Sequence, residues 1–132
     1  VVRRQLSPDL SSARVARDLV RQVCRAWDLG QVLHPARLVV SELVANAVTH
    51  ARTEMLVSIS RRGAGLHLSV SDRDPQPPQL VDPVSWTVRE PGDDWGQGLH
   101  LVHRCAAAWG SMPTTDGKVV WATVRHREGR TA

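Results

Sequence analysis

Phenylalanine and tyrosine are both absent from this chain of 132 residues, and cysteine occurs only twice, at Cys24 and Cys105. Cysteines so far apart make no CxxC pair and no zinc-ligand spacing, so both are expected to be buried thiols in a reducing compartment. No apolar run approaches the roughly 20 residues needed to cross a bilayer. No basic-then-apolar leader opens the chain. A cytoplasmic protein with no membrane partner is therefore expected. The first residue is Val1 rather than methionine, so a few residues are expected upstream. The missing aromatics also bear on the net charge of +4. A basic chain invites nucleic acid, but here the arginines are spread along the whole length and stacking side chains are few. The expectation is a solvated, arginine-rich surface without direct nucleic-acid binding. A salt-dependent DNA binder is the weaker alternative.

What is present is an ordinary globular composition, 42% hydrophobic and 23% charged, which fits one compact domain. Residues 1–126 are expected to form it, with residues 127–132 as a polar tail. Residues 1–6 (VVRRQL) read as a short strand. Ser7-Pro8-Asp9 reads as a helix start, with Ser7 as cap and Pro8 in the first turn. Ala16, Leu19, Val20, Val23 and Trp27 follow at helical spacing, and Gly30 ends the segment. A second helix is expected from near Pro35 to about His50. Its centre, Leu38 to Val48, has only Ser41, Glu42 and Asn46 as polar residues, the pattern of a buried helix. Met55, Val57 and Ile59 alternate, as do Leu66, Leu68 and Val70, around a turn at Arg61 to Gly65, which predicts a hairpin. Arg73 to Gln97 shows no period and holds five of the eight prolines. A connection that long implies a functional lid or a disordered segment. Gly98 opens a third helix closed by Gly110. A last hairpin turns at Asp116-Gly117, with Lys118 to Arg125 as its second strand. Helices grouped between antiparallel pairs predict an α+β fold, a two-layer sandwich of a mixed, mainly antiparallel sheet with helices on one face.

Few residues can carry chemistry. Glu42 and Asn46 are four apart and project on one side of the second helix, with His50 continuing the row. Burying a carboxylate costs several kcal/mol unless it is compensated. Either neighbouring arginines satisfy the pair, or it lines a cavity for a polar ligand. In that case the carboxylate orients a hydroxyl and the amide oxygen coordinates Mg²⁺. Gly96-Gln97-Gly98 lets backbone approach a ligand closely, and the helix start behind it suits phosphate; the plainer reading is a flexible turn into the helix. Asp72 ends a strand where the long loop begins. It can initiate the turn, or accept a hydrogen bond from an exocyclic amine. His100 and His103 lack a third metal ligand. Ser41 lacks a nucleophile elbow. Trp27, Trp109 and Trp121 read as core; Trp86 and Trp95 fall in the expected lid.

The order of these elements resembles the Bergerat ATP-binding fold, the histidine-kinase-like ATPase superfamily that includes gyrase B and sensor histidine kinases. ELVANAVTHA (Glu42 to Ala51) is similar to its N box, GQGLHLVHRCAAAWG (Gly96 to Gly110) to its second glycine box, and KVVWATV (Lys118 to Val124) to its closing strand. The compact branch of anti-sigma-factor serine/threonine kinases is the closest in pattern. The resemblance implies Glu42 as catalytic carboxylate, Asn46 as Mg²⁺ ligand and Asp72 as acceptor for the adenine amine. It places Gly96, Gly98 and the backbone of Leu99 beside the phosphates, with His50 as a further phosphate contact. It implies ATP and Mg²⁺ as cofactors, a sigma factor or an anti-sigma-antagonist protein as partner, and a possible homodimer. Two departures stand out. Asp74 and Gln76 occupy the glycine places of the first glycine box, and Val119 takes the place of an adenine-holding threonine. They keep open a non-catalytic module that sequesters a partner.

Overall fold

The computed structural model describes residues 1–76 and 102–126. Apolar alternation in two central segments builds the sheet. Strands β2 (Met55–Arg62) and β3 (Gly65–Asp72) form the expected hairpin, with Met55, Val57, Ile59, Leu66, Leu68 and Val70 all buried. Gly63 takes a φ of 55° in their turn, a conformation that glycine reaches without steric cost. Strand β1 (Val2–Leu6) pairs with β2, and β5 (Lys118–Val124) pairs with β3. Strand β4 (Ala108–Pro113) completes the order β1-β2-β3-β5-β4, and every one of these pairings is antiparallel.

Helices α1 (Ser11–Ala26) and α2 (Leu33–Asn46) pack on each other, and α2 lies against β3 and β5. Ala16, Val20 and Val23 of α1, Val39, Val40, Leu43 and Val44 of α2, and the inward residues of β2, β3 and β5 form one apolar cluster. Each large aliphatic side chain in it contributes about 1.5–3 kcal/mol through burial. The fold is the expected α+β sandwich.

Local details depart from expectation for identifiable reasons. Helix α1 starts at Ser11, because the Asp9 carboxylate, not Ser7, takes the free donors: Asp9 Oδ1 accepts from the Ser11 amide at 2.9 Å and its hydroxyl at 3.1 Å. These bonds lower the Asp9 pKa, the backbone one most. The helix ends at Ala26, and Gly30 opens a short 3-10 turn (Gly30–Val32) instead of terminating it. The third helix also stops early. Residues 102–105 are helical, but Ala108, Trp109 and Gly110 belong to β4. Alanine favours helix, yet the Ala107 amide donates to the Thr123 carbonyl at 2.8 Å and the ladder continues from there.

Trp121 is a further correction. Alternation turns Val119, Trp121 and Thr123 to the face away from α2, where Trp121 stacks on His67 with centroids 5.6 Å apart. Trp27 and Trp109 do pack against the core. Both cysteines are free thiols. Cys24 is buried, which raises its pKa, whereas Cys105 is only half-buried.

Candidate functional site

Strand register brings two opposite charges together. Asp72 and Lys118 are direct partners across β3 and β5, and both follow the inward parity of Val70 and Val120. Asp72 is 6% exposed and Lys118 4%. Lys118 Nζ lies 3.1 Å from each carboxylate oxygen of Asp72 and donates to the Asp74 carbonyl at 3.0 Å. The Asp74 amide donates to Asp72 Oδ1 at 2.9 Å, and the Gln76 amide to Asp74 Oδ1 at 3.0 Å. Two successive Asx turns therefore lead the chain away from β3. The turn between β4 and β5 passes so close that a Cβ on Gly117 would lie 2.1 Å from the Asp72 carbonyl oxygen. Only glycine allows that approach. On the other side, the Arg73 amide donates to Thr53 Oγ1 at 3.0 Å. The end of β3 is thus held from both flanks.

Helix α2 supplies the second part. Glu42 and Asn46 are half-buried rather than enclosed, while Val39, Val40, Leu43 and Val44 fill the core side. Arg17 donates to Ser41 Oγ at 2.9 Å, so Ser41 ties α2 to α1. After Asn46 the helix widens into a π turn, Ala47–Ala51, closed by the Arg52 amide on the Ala47 carbonyl at 2.9 Å, with Arg52 left-handed at φ 58°. An α-helix drifts about 40° over four residues. A wider turn drifts less, which returns His50 toward the row of Glu42 and Asn46. Such turns recur at functional sites. The π turn packs against β3. Partial burial of the His50 ring lowers its pKa, and the charges of Lys118 and Arg52 lower it further.

His50, Lys118, Asp72 and Asp74 therefore share the corner where α2 meets the ends of β3 and β5. Asn46 and Glu42 lie about 6 and 12 Å back along the helix axis from His50. Gly96, Gly98, Leu99 and His100 lie outside the described residues, as do residues 77–97 of the expected lid. His103 Nδ1 accepts a hydrogen bond from the Trp109 indole at 3.1 Å. Among the described residues no three His, Cys, Asp or Glu side chains gather in a metal-binding group. A magnesium ion held by one amide oxygen and by phosphates needs no such group.

Sequence reasoning missed Lys118. The signal was available, because alternation with Val120, Ala122 and Val124 puts it on the buried face, where a cation requires a counter-charge. The same alternation separates Val119 from Asp72, since Val119 pairs with Ser71 on the outer face.

A family model described as the histidine kinase-like ATPase domain matches residues 6–124. No curated protein matches the chain. Among solved structures, the chain is similar to the RsbU and RsbW domains of Rv1364c from Mycobacterium tuberculosis, with a TM-score of 0.66 and 17% identity. That likeness covers 95% of this chain and 32% of the other, and at such identity it is a likeness of fold. Among the described residues, no helix is long and apolar enough to cross a membrane.

Proposed function

The chain belongs to the histidine kinase-like ATPase domain family, and on that premise we propose that it is a Mg-ATP-dependent protein serine/threonine kinase of the anti-sigma-factor type. The observation that carries the reading is the alignment of polar groups on an otherwise apolar helix. Half-buried Glu42 and Asn46 share one side of α2, and the π turn leads that side to the corner holding Asp72. The residues fit the nucleotide. Among the described residues, Asp72 Oδ1 takes the Asp74 and Lys118 bonds, while Oδ2 makes only the ion-pair contact and keeps a lone pair for a base amine. In this reading Glu42 orients the acceptor hydroxyl and receives its proton. Asn46 offers its amide oxygen to Mg²⁺, which supplies charge neutralisation at the phosphates when bound. The family resemblance assigns the phosphates to Gly96, Gly98 and the Leu99 backbone. The acceptor is a serine or threonine on an anti-sigma-antagonist protein, and a sigma factor is the alternate partner.

Glu42→Ala tests the chemistry. The variant keeps most of its ATP affinity and loses transfer of labelled phosphate to the antagonist; transfer at the wild-type rate would defeat the assignment. Asn46→Ala weakens Mg²⁺-dependent nucleotide binding, and a titration that shows no change removes Asn46 from the metal site.

One observation favours a second reading, a non-catalytic module that sequesters its partner. Asp74 and Gln76 are committed to Asx turns where the family resemblance places glycines. Calorimetry separates the two. An absence of heat and of thermal shift with Mg-ATP supports the module.

A further inference from the structure

We propose that Lys118 is a positioning residue for base recognition: together with the Asp74 amide it holds Asp72 Oδ1, leaves Oδ2 facing the base, and so selects a 6-aminopurine nucleotide over a 6-oxopurine one. The inference rests on the nucleotide-binding reading above and deepens it. Lys118 is the sole lysine among 17 lysines and arginines. Its compact ammonium reaches both oxygens of Asp72 and the Asp74 carbonyl from one point, which the planar fork of an arginine does not do. Oδ1 is the more heavily used oxygen, with two donors at 2.9 and 3.1 Å. Among the described residues, Oδ2 has only the ion-pair contact at 3.1 Å. A carboxylate has about four lone-pair sites, so Oδ2 keeps acceptor capacity. The side chain is 98% buried, so bulk water does not satisfy that capacity.

The chemistry of the choice is simple. An exocyclic 6-amino group donates to Oδ2, whereas a 6-oxo group meets it lone pair to lone pair. One lost hydrogen bond to a charged acceptor corresponds to about tenfold or more in affinity. A purely apolar pair at this register would fill the same space without desolvating charge. It would not fix which atom of residue 72 faces the base.

The test measures Kd for MgATP and MgITP on the full chain and its variants. The wild type is expected to prefer MgATP by about tenfold or more. In Asp72→Asn, Lys118 and the Asp74 amide hold the side-chain oxygen, the NH2 group takes the place of Oδ2, and the preference inverts toward MgITP. In Lys118→Met, the carboxylate loses the charge that fixes it, and the two affinities converge to within about threefold. Should Lys118→Met fail to fold, the Asp72→Asn/Lys118→Met double variant, free of both charges, shows the same convergence. Because lysine occurs once, a ¹⁵N-lysine sample of the wild type gives one Nζ resonance, which is expected to move on adding MgATP. An unchanged ATP preference in Lys118→Met, an inverted preference kept in the double variant, or an unmoved Nζ resonance at saturating MgATP each overturns the assignment. Wild-type protein that binds both nucleotides equally overturns the positioning role alone. Wild-type protein that binds neither removes the nucleotide reading itself.

Discussion

Replacing Lys118 by methionine keeps the length of the side chain and removes its charge, which leaves Asp72 alone at a site where the two side chains are only 4% and 2% exposed. At an effective dielectric of about 20, unit charges separated by the observed 3.1 Å attract by about 5 kcal/mol. Breaking a buried pair from one side costs about 3–5 kcal/mol, in agreement. That is a fifth or more of the stability of an ordinary domain, about 5–15 kcal/mol. In urea, with a slope of about 1–3 kcal/mol per molar, the unfolding midpoint is expected to fall by roughly 1–5 M. The Asp72→Leu/Lys118→Met double variant removes the desolvation along with the attraction, and it recovers most of the loss. The exposed pair Arg21–Asp18 is a control: its atoms are 3.7 Å apart at 63% and 51% exposure. Arg21→Ala therefore changes stability by less than about 1 kcal/mol. If Lys118→Met lost as little as the control, or if the double variant lost the sum of the two single variants, the buried-pair argument would be wrong.

Gly117→Ala forces a methyl group to within 2.1 Å of the Asp72 carbonyl oxygen and 2.6 Å of Arg73 Cα. Neither backbone atom can yield cheaply, so a loss of at least about 1–3 kcal/mol is expected in urea unfolding, together with weaker ATP binding. A neutral outcome would show that the turn does not clamp the end of β3. Leu43→Ala, at a site 1% exposed between helix and sheet, is expected to cost about 2–5 kcal/mol by the same assay. The pH dependence follows from His50 and His67, whose pKa values are both lowered, chiefly by burial. The fold favours their neutral forms, so their contribution is present above the ordinary histidine value of about 6.5 and is lost as pH falls through the lowered values. Melting temperatures should be flat from about pH 7 to 8 and decline below about 6.5. His67→Gln should make that decline shallower; an unchanged acid slope would count against the assignment.

Part of the candidate site is legible in the sequence. Polar Glu42 and Asn46 stand out in the apolar run from Leu38 to Val48, and strict alternation marks β2 and β3. What misled was local preference. Ala106, Ala107 and Ala108 favour helix, but the open edge of β5 offered backbone partners that a helix could not satisfy, so the chain from Ala108 became β4. Trp121 looked like core on hydrophobicity alone, whereas its parity along β5 places it with His67 on the outer face.

Pattern determined this protein wherever the deciding interaction is periodic along the chain. The spacing of apolar side chains was enough for the sheet hairpin, the buried side of α2 and the α+β class. Tertiary structure decided what depends on groups distant in sequence meeting in space. Asp72 and Lys118 are 46 residues apart, and only the β3–β5 register makes them an ion pair. The π turn that returns His50 to the row of Glu42 and Asn46 likewise comes where α2 ends against β3. Periodicity records which face a residue takes, whereas the partner it finds there is settled by which strands and helices come to lie beside it.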